Sequence, residues 1–148
     1  MQNKEIQYLD HHLIILNNIY LHLIFYKGLK ILQYVQKKLI MSKTRKQESK
    51  LFATEILHGA PLTQNILAGS LKETVDEKVK LFDKWISEKK IAPVDPYHLI
   101  FSIWSMTQHY ADFDIQVHSL LNHKNHATIF KDAEHFLLTF FSRCLTRD

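Results

Sequence analysis

Only six residues of the chain are glycine or proline, and they stand at Gly28, Gly59, Pro61, Gly69, Pro93 and Pro96. So few turn formers cannot serve an all-β sandwich or barrel, which needs a turn roughly every eight to twelve residues, and they exclude a collagen-like or Pro/Gly-rich linker composition. Between these breakers the apolar residues recur at steps of three and four, which predicts an all-α helical bundle. Helices are expected over residues 9–26, 29–43 and 48–58. The third closes at His58-Gly59-Ala60-Pro61, where Gly suits a left-handed cap and Pro can open the next helix. From Leu62 to Lys90, the series Leu62, Ile66, Leu71, Val75, Val79, Phe82 and Ile86 lies opposite a charged series, as in one long amphipathic helix that Gly69 can bend or divide. Asp95 as cap and Pro96 as first residue start a helix expected to reach about His118. After the polar loop 122–126, a last helix carries Ile129, Ala133, Phe136, Leu137, Phe140, Phe141 and Cys144.

The chain's 148 residues, 46% hydrophobic and 23% charged, suffice for one domain with its own core. Its net charge of +4 is uneven: residues 1–50 hold nine Lys/Arg against three Asp/Glu. Lys27, Lys30, Lys37, Lys38, Lys43, Arg45, Lys46 and Lys50 come without interleaved aromatics or a helix-turn-helix pattern. They read as a solvated helix face rather than a nucleic-acid surface. Leu13–Leu16 and Ile19–Tyr26 are the most apolar stretch, but Asn17, Asn18 and His22 interrupt it, so it is too short to span a bilayer. No small-residue cleavage site follows it, and a buried helix is expected, with no membrane partner. The single Cys144 excludes an intrachain disulfide, no Cys/His pair has zinc-module spacing, and a reducing cytoplasm fits this usage.

No catalytic constellation stands out. His118, His123 and His126 lie near one another, but two of them fall in the expected loop, and a metal needs ligands converging from a rigid scaffold. His11, His12, His22 and His135 read as surface or polar-core residues, and Asp112, Asp114 and Glu134 as solvated or capping carboxylates. Cys144 reads as inert packing on an apolar face. With no Gly-rich phosphate loop and no GxSxG, neither an enzyme, a cofactor nor a metal is expected. Trp104, Gln108 and Ala111, spaced by four and three, put a large ring beside an amide on one helix surface, which suits a flat ligand; packing explains the same spacing. The wide apolar stripes of the last two long helices suggest a symmetric dimer with a four-helix interface. Its contacts would be Ile103, Thr107, Ala111, Ile129, Ala133, Phe136, Leu137 and Phe140. A larger monomeric core is the alternative.

Three stretches carry a resemblance: Leu51-Phe52-Ala53-Thr54-Glu55-Ile56-Leu57-His58-Gly59-Ala60-Pro61-Leu62; Asp76-Glu77-Lys78 with Trp85; and Ile91-Ala92-Pro93-Val94-Asp95-Pro96-Tyr97-His98-Leu99-Ile100-Phe101 with Ile103-Trp104 and Thr107-Gln108-His109-Tyr110-Ala111-Asp112-Phe113. Through them residues 30–148 resemble the C-terminal ligand-sensing and dimerisation domain of TetR-family transcriptional regulators, in their pyrimidine-utilisation branch. The resemblance implies an all-helical homodimer joined by its last two helices. It also implies a pocket for a small planar effector, a pyrimidine such as uracil or thymine, with Trp104 and Gln108 at the pocket and Tyr110 in the same motif. Family members begin with a three-helix DNA-binding domain, whereas residues 1–29 here read as an atypical hydrophobic leader. The expectation is a truncated or split regulator that does not bind DNA by itself. Its alternatives are an interaction protein forming mixed dimers with a full-length TetR-family regulator, and a remnant without function.

Overall fold

The computed structural model describes residues 26–146, and every regular element among them is helical. Helix α1 spans Tyr26–Thr44 and α2 Lys46–Leu57. A short turn, Gln64–Ile66, passes through a widened, π-type turn over Leu67–Leu71 into α3, Lys72–Ser87. Then come α4, Pro96–Asp112, α5, Asp114–Leu120, and α6, His126–Leu145. The expected helix over 9–26 lies, but for its last residue, outside the described residues. Of the expected leader, residues 1–29, all but 26–29 likewise lies outside the described residues.

Helix α1 is the centre of the bundle. Ile31, Leu32, Val35 and Leu39 recur at one, three and four and therefore share one face. That face meets Leu99, Ile100 and Ile103 of α4 and Phe130, Ala133, Leu137, Phe141 and Leu145 of α6. Val75, Phe82 and Trp85 close the cluster from α3. Each buried Val, Leu, Ile or Phe among them contributes about 1.5–3 kcal/mol, which is what holds three long helices together. Gln36 on α1 adds a polar tie, donating to Glu134 of α6 at 2.6 Å.

Helix ends follow the local chemistry. Asp95 caps α4 by accepting from the His98 N–H at 2.9 Å, with Pro96 in the first turn, and Asn125 caps α6 through the Thr128 N–H at 2.9 Å. The ends of α2 and α3 are Schellman motifs. In the first, Gly59 has φ +88°, and the N–H groups of Gly59 and Ala60 reach Ile56 and Glu55 carbonyls at 3.0 and 2.9 Å. In the second, the N–H groups of Lys89 and Lys90 reach Ile86 and Trp85 at 2.9 and 2.8 Å, but the left-handed residue is Lys89, φ +58°. A side chain is strained there where glycine is not. Replacing Lys89 by Gly is therefore expected to stabilise the domain by about 0.5–1 kcal/mol, read as a higher urea midpoint at unchanged slope. A lowered midpoint would contradict it.

Two expected helices are divided. The long helix over 62–90 breaks at Gly69, whose φ −102° and ψ −108° are not helical, and Leu62 and Ile66 before it stay exposed. Pro61 accordingly leads into a turn rather than a helix. The helix expected from Pro96 to His118 is interrupted at Phe113, φ −115° and ψ 31°. The carboxylates on either side of Phe113 both turn to α2. Asp112 accepts from Ser49 Oγ at 2.6 Å, and Asp114 pairs with Lys46 at 2.7 Å and with Lys50.

Candidate functional site

A cavity of about 310 Å³ opens between α1, α2, the widened turn and α4. Gly69 ends the helical path just ahead of Leu71, which lines this cavity, so the division of the 62–90 segment falls at the cavity wall. Met41, Phe52 and Leu71 make its apolar lining, Trp104 and Gln108 come from α4, and Lys38, Ser42, Arg45, Glu48 and Ser49 form the polar wall. Trp104 and Gln108 sit one turn apart on the same face of α4, as their spacing predicts.

The ring of Trp104 is fixed on two sides. Its Nε1 donates to the Tyr34 hydroxyl at 2.6 Å, and Phe101 lies 6.1 Å away, centroid to centroid. Lys38 Nζ lies over the ring, 5.9 Å from its centroid. Burial pulls the Lys38 pKa below the ordinary lysine value, and the charge of Asp112 partly opposes this. Burial likewise raises the pKa of Tyr34, against the Trp104 hydrogen bond. Gln108 is half-buried at the cavity wall. The arrangement offers a flat aromatic surface, a donor–acceptor amide and a desolvated ammonium around one apolar space.

Tyr110 does not join it. Six residues from Trp104 amount to about 240° around the helix, and its ring packs 5.9 Å from Phe130 against the core. Burial there raises its pKa.

The suggested dimer contacts also need correction. Ile103, Thr107 and Ala111 are wholly buried within the single chain, and Ile129, Ala133 and Leu137 nearly so. They fill this chain's own interior and have no surface to give a partner. Of the eight, Phe136 and Phe140 are exposed, at 54% and 39%, with their rings stacked 6.0 Å apart. The apolar stripe of α6 is in fact two: Ala133, Leu137, Phe141 and Leu145 inward, Phe136 and Phe140 outward. Cys144, expected to pack, is exposed.

Sequence reasoning missed the polar wall. The basic stretch reads in sequence as a solvated face, yet Lys38 and Arg45 line the cavity while Lys46 and Lys50 clamp Asp114. Those two lysines hold the Asp114 carboxyl down at about 2. The sequence offers only the step of Lys38 and Ser42 by four on α1, beside the Val35–Leu39 face, and that spacing does not say that α2 covers it. The remaining candidates do not converge: Glu134 is taken by Gln36 and His135 is exposed. His118 and His126 stack at 5.6 Å, with the His118 Nδ1 bonded to the Asp114 carbonyl oxygen at 2.8 Å. Burial and the neighbouring His118 lower the His126 pKa. No group of three His, Cys, Asp or Glu side chains among the described residues is placed to hold a metal, and no described helix is long and apolar enough to cross a membrane.

A family model described as the C-terminal region of YcdC-like proteins, of TetR type, matches residues 28–147. Over 90 residues the chain is 49% identical to the HTH-type transcriptional regulator RutR of Escherichia coli O157:H7, of Escherichia coli K12 and of Shigella flexneri. The match takes in 61% of this chain and 42% of each of those proteins, so the chain spans less than half the length of these relatives.

Proposed function

The chain belongs to the YcdC-like C-terminal-region family of TetR-type regulators, and on that premise we propose that it is an effector-sensing and dimerising domain whose ligand is a small planar heterocycle with an amide-like edge. The observation that carries this reading is the cavity in which the Trp104 ring and the Gln108 amide share one apolar space. Its size is at the lower end of the roughly 300–1,000 Å³ usual for small-molecule sites. Trp104 would stack on the ring and Gln108 would read the edge, as a pyrimidine such as uracil or thymine requires. The relatives are named as transcriptional regulators, which favours sensing over catalysis. A cytoplasmic setting belongs to the same proposal.

Dimerisation is the second part. Tyr97 and Phe101 on α4 and Phe136 and Phe140 on α6 are exposed aromatic residues on the two long C-terminal helices, and a second copy of the chain would cover them. The 49% identity to longer regulators supports one further reading, a mixed dimer with such a protein. Co-purification of the two from a common host tests it, and exclusive self-association would dismiss it.

The ligand assignment is tested by isothermal titration of the chain with uracil and thymine, beside Gln108→Leu and Trp104→Leu. Saturable heat is expected from the wild type. Gln108→Leu should weaken it about 10- to 100-fold, the worth of one to two buried hydrogen bonds, with helical circular dichroism unchanged. Absence of heat from the folded wild type would remove the pyrimidine assignment.

A further inference from the structure

We propose that the cavity prefers a planar ligand bearing a negative charge, such as a ring carboxylate, and that Lys38 is the residue that selects it. The inference rests on the ligand-sensing reading above and narrows the class of effector.

The polar wall of the cavity carries two cations, Lys38 and Arg45, and one acid, Glu48. Lys38 is half-buried, and among the described residues no carboxylate lies within ion-pair distance of it. Among the described residues its close electrostatic contact is the face of Trp104 at 5.9 Å. The acid that acts on it from further away, Asp112, already accepts a 2.6 Å hydrogen bond from Ser49. An ammonium withdrawn from water whose nearest partner among the described residues is an aromatic face, with the closest acting carboxylate further off, is poorly compensated. Burial draws its pKa down for that reason. The nearby lysines show the contrast: Lys46 and Lys50 are matched by Asp114.

An anionic group entering the cavity would supply the missing counter-charge in a partly dry site, where a charge-assisted hydrogen bond is about twice as strong as a neutral one. A neutral ring offers Lys38 only a carbonyl oxygen. Among the described residues the Lys38 ammonium makes no hydrogen bond to the Ser42 hydroxyl, which donates to the Lys38 carbonyl oxygen at 3.1 Å. The three recognition elements are thus distinct: Trp104 for the ring, Gln108 for the amide edge and Lys38 for the charge.

The experiment is a parallel isothermal titration of the full chain with uracil and with uracil-6-carboxylate. The carboxylate is expected to bind about tenfold more tightly, the worth of one charge-assisted contact, and to lose more affinity than uracil when salt is raised. In Lys38→Met, which keeps the apolar stem, the ratio should fall towards one. Lys38→Arg should restore part of it, and Lys37→Met, which removes an exposed charge from the same helix, should preserve it. Equal or tighter binding of uracil would overturn the charge preference while leaving the sensing reading in place. A preference that survives Lys38→Met would overturn the role of Lys38. Binding of neither compound by the folded chain would overturn both readings.

Discussion

Trimming Phe141 to alanine is expected to remove about 3–5 kcal/mol of folding free energy, a large share of the stability of a domain whose total is of order 5–15 kcal/mol. Phe141 is 1% exposed and belongs to the cluster where α1, α4 and α6 meet. Its neighbour Phe140 has a similar ring in a different situation, 39% exposed and stacked on Phe136. Phe140→Ala should therefore change the folding free energy of the monomer by less than about 1 kcal/mol and, on the dimer proposal, show its effect in sedimentation as weaker self-association. Equal losses of folding stability from the two variants would mean that the inward and outward stripes of α6 have been assigned the wrong way round.

Acid should unlock the junction between α2 and α5. The folded pKa of Asp114, about 2, lies below the unfolded value of 3.8, because Lys46 and Lys50 hydrogen-bond its charged form. A depressed folded pKa stabilises the native state above the unfolded value, and the contribution is lost as pH falls through the folded one. The loss should thus run from about pH 4 down to about pH 2. Part of the shift is discounted because both lysines are about one-third exposed, leaving about 1–2 kcal/mol at neutral pH. Asp114→Asn should be less stable by that amount at pH 7 and should lack this step in a stability–pH profile. A variant with the full acid sensitivity of the parent would place the effect elsewhere.

The bundle was legible because its signals are local. Gly59, Pro61, Gly69, Pro93 and Pro96 fall at joints and Asp95-Pro96 announced the start of α4, whereas Gly28 lies inside α1. The break at Phe113 was not legible, since Asp112-Phe113-Asp114 continues a helical pattern until Lys46, Lys50 and Ser49, more than sixty residues earlier, draw the two carboxylates aside. The same limitation governs the site. Trp104 and Gln108 were found because one helix carries both. Lys38 and Arg45 were not, because a lysine's spacing does not say which side of a helix another helix will cover. The wide stripe on α4 misled for a related reason: Ile103, Thr107 and Ala111 are apolar or small because α1 and α2 lie over that helix in the same chain.

Helix α2 contains no buried residue, and beyond its joint with α1 it is held at one end by the paired carboxylates and at the other by Glu55, which accepts from the Leu62 and Thr63 N–H groups at 2.5 and 3.1 Å. In the language of hydrogen exchange it is a foldon of low local stability: its amides can open without the core opening, at a free energy set by a few polar contacts rather than by apolar area. Ionic strength, which hardly touches the packing of α1 on α6, thereby governs how often one wall of the cavity lifts away from the others.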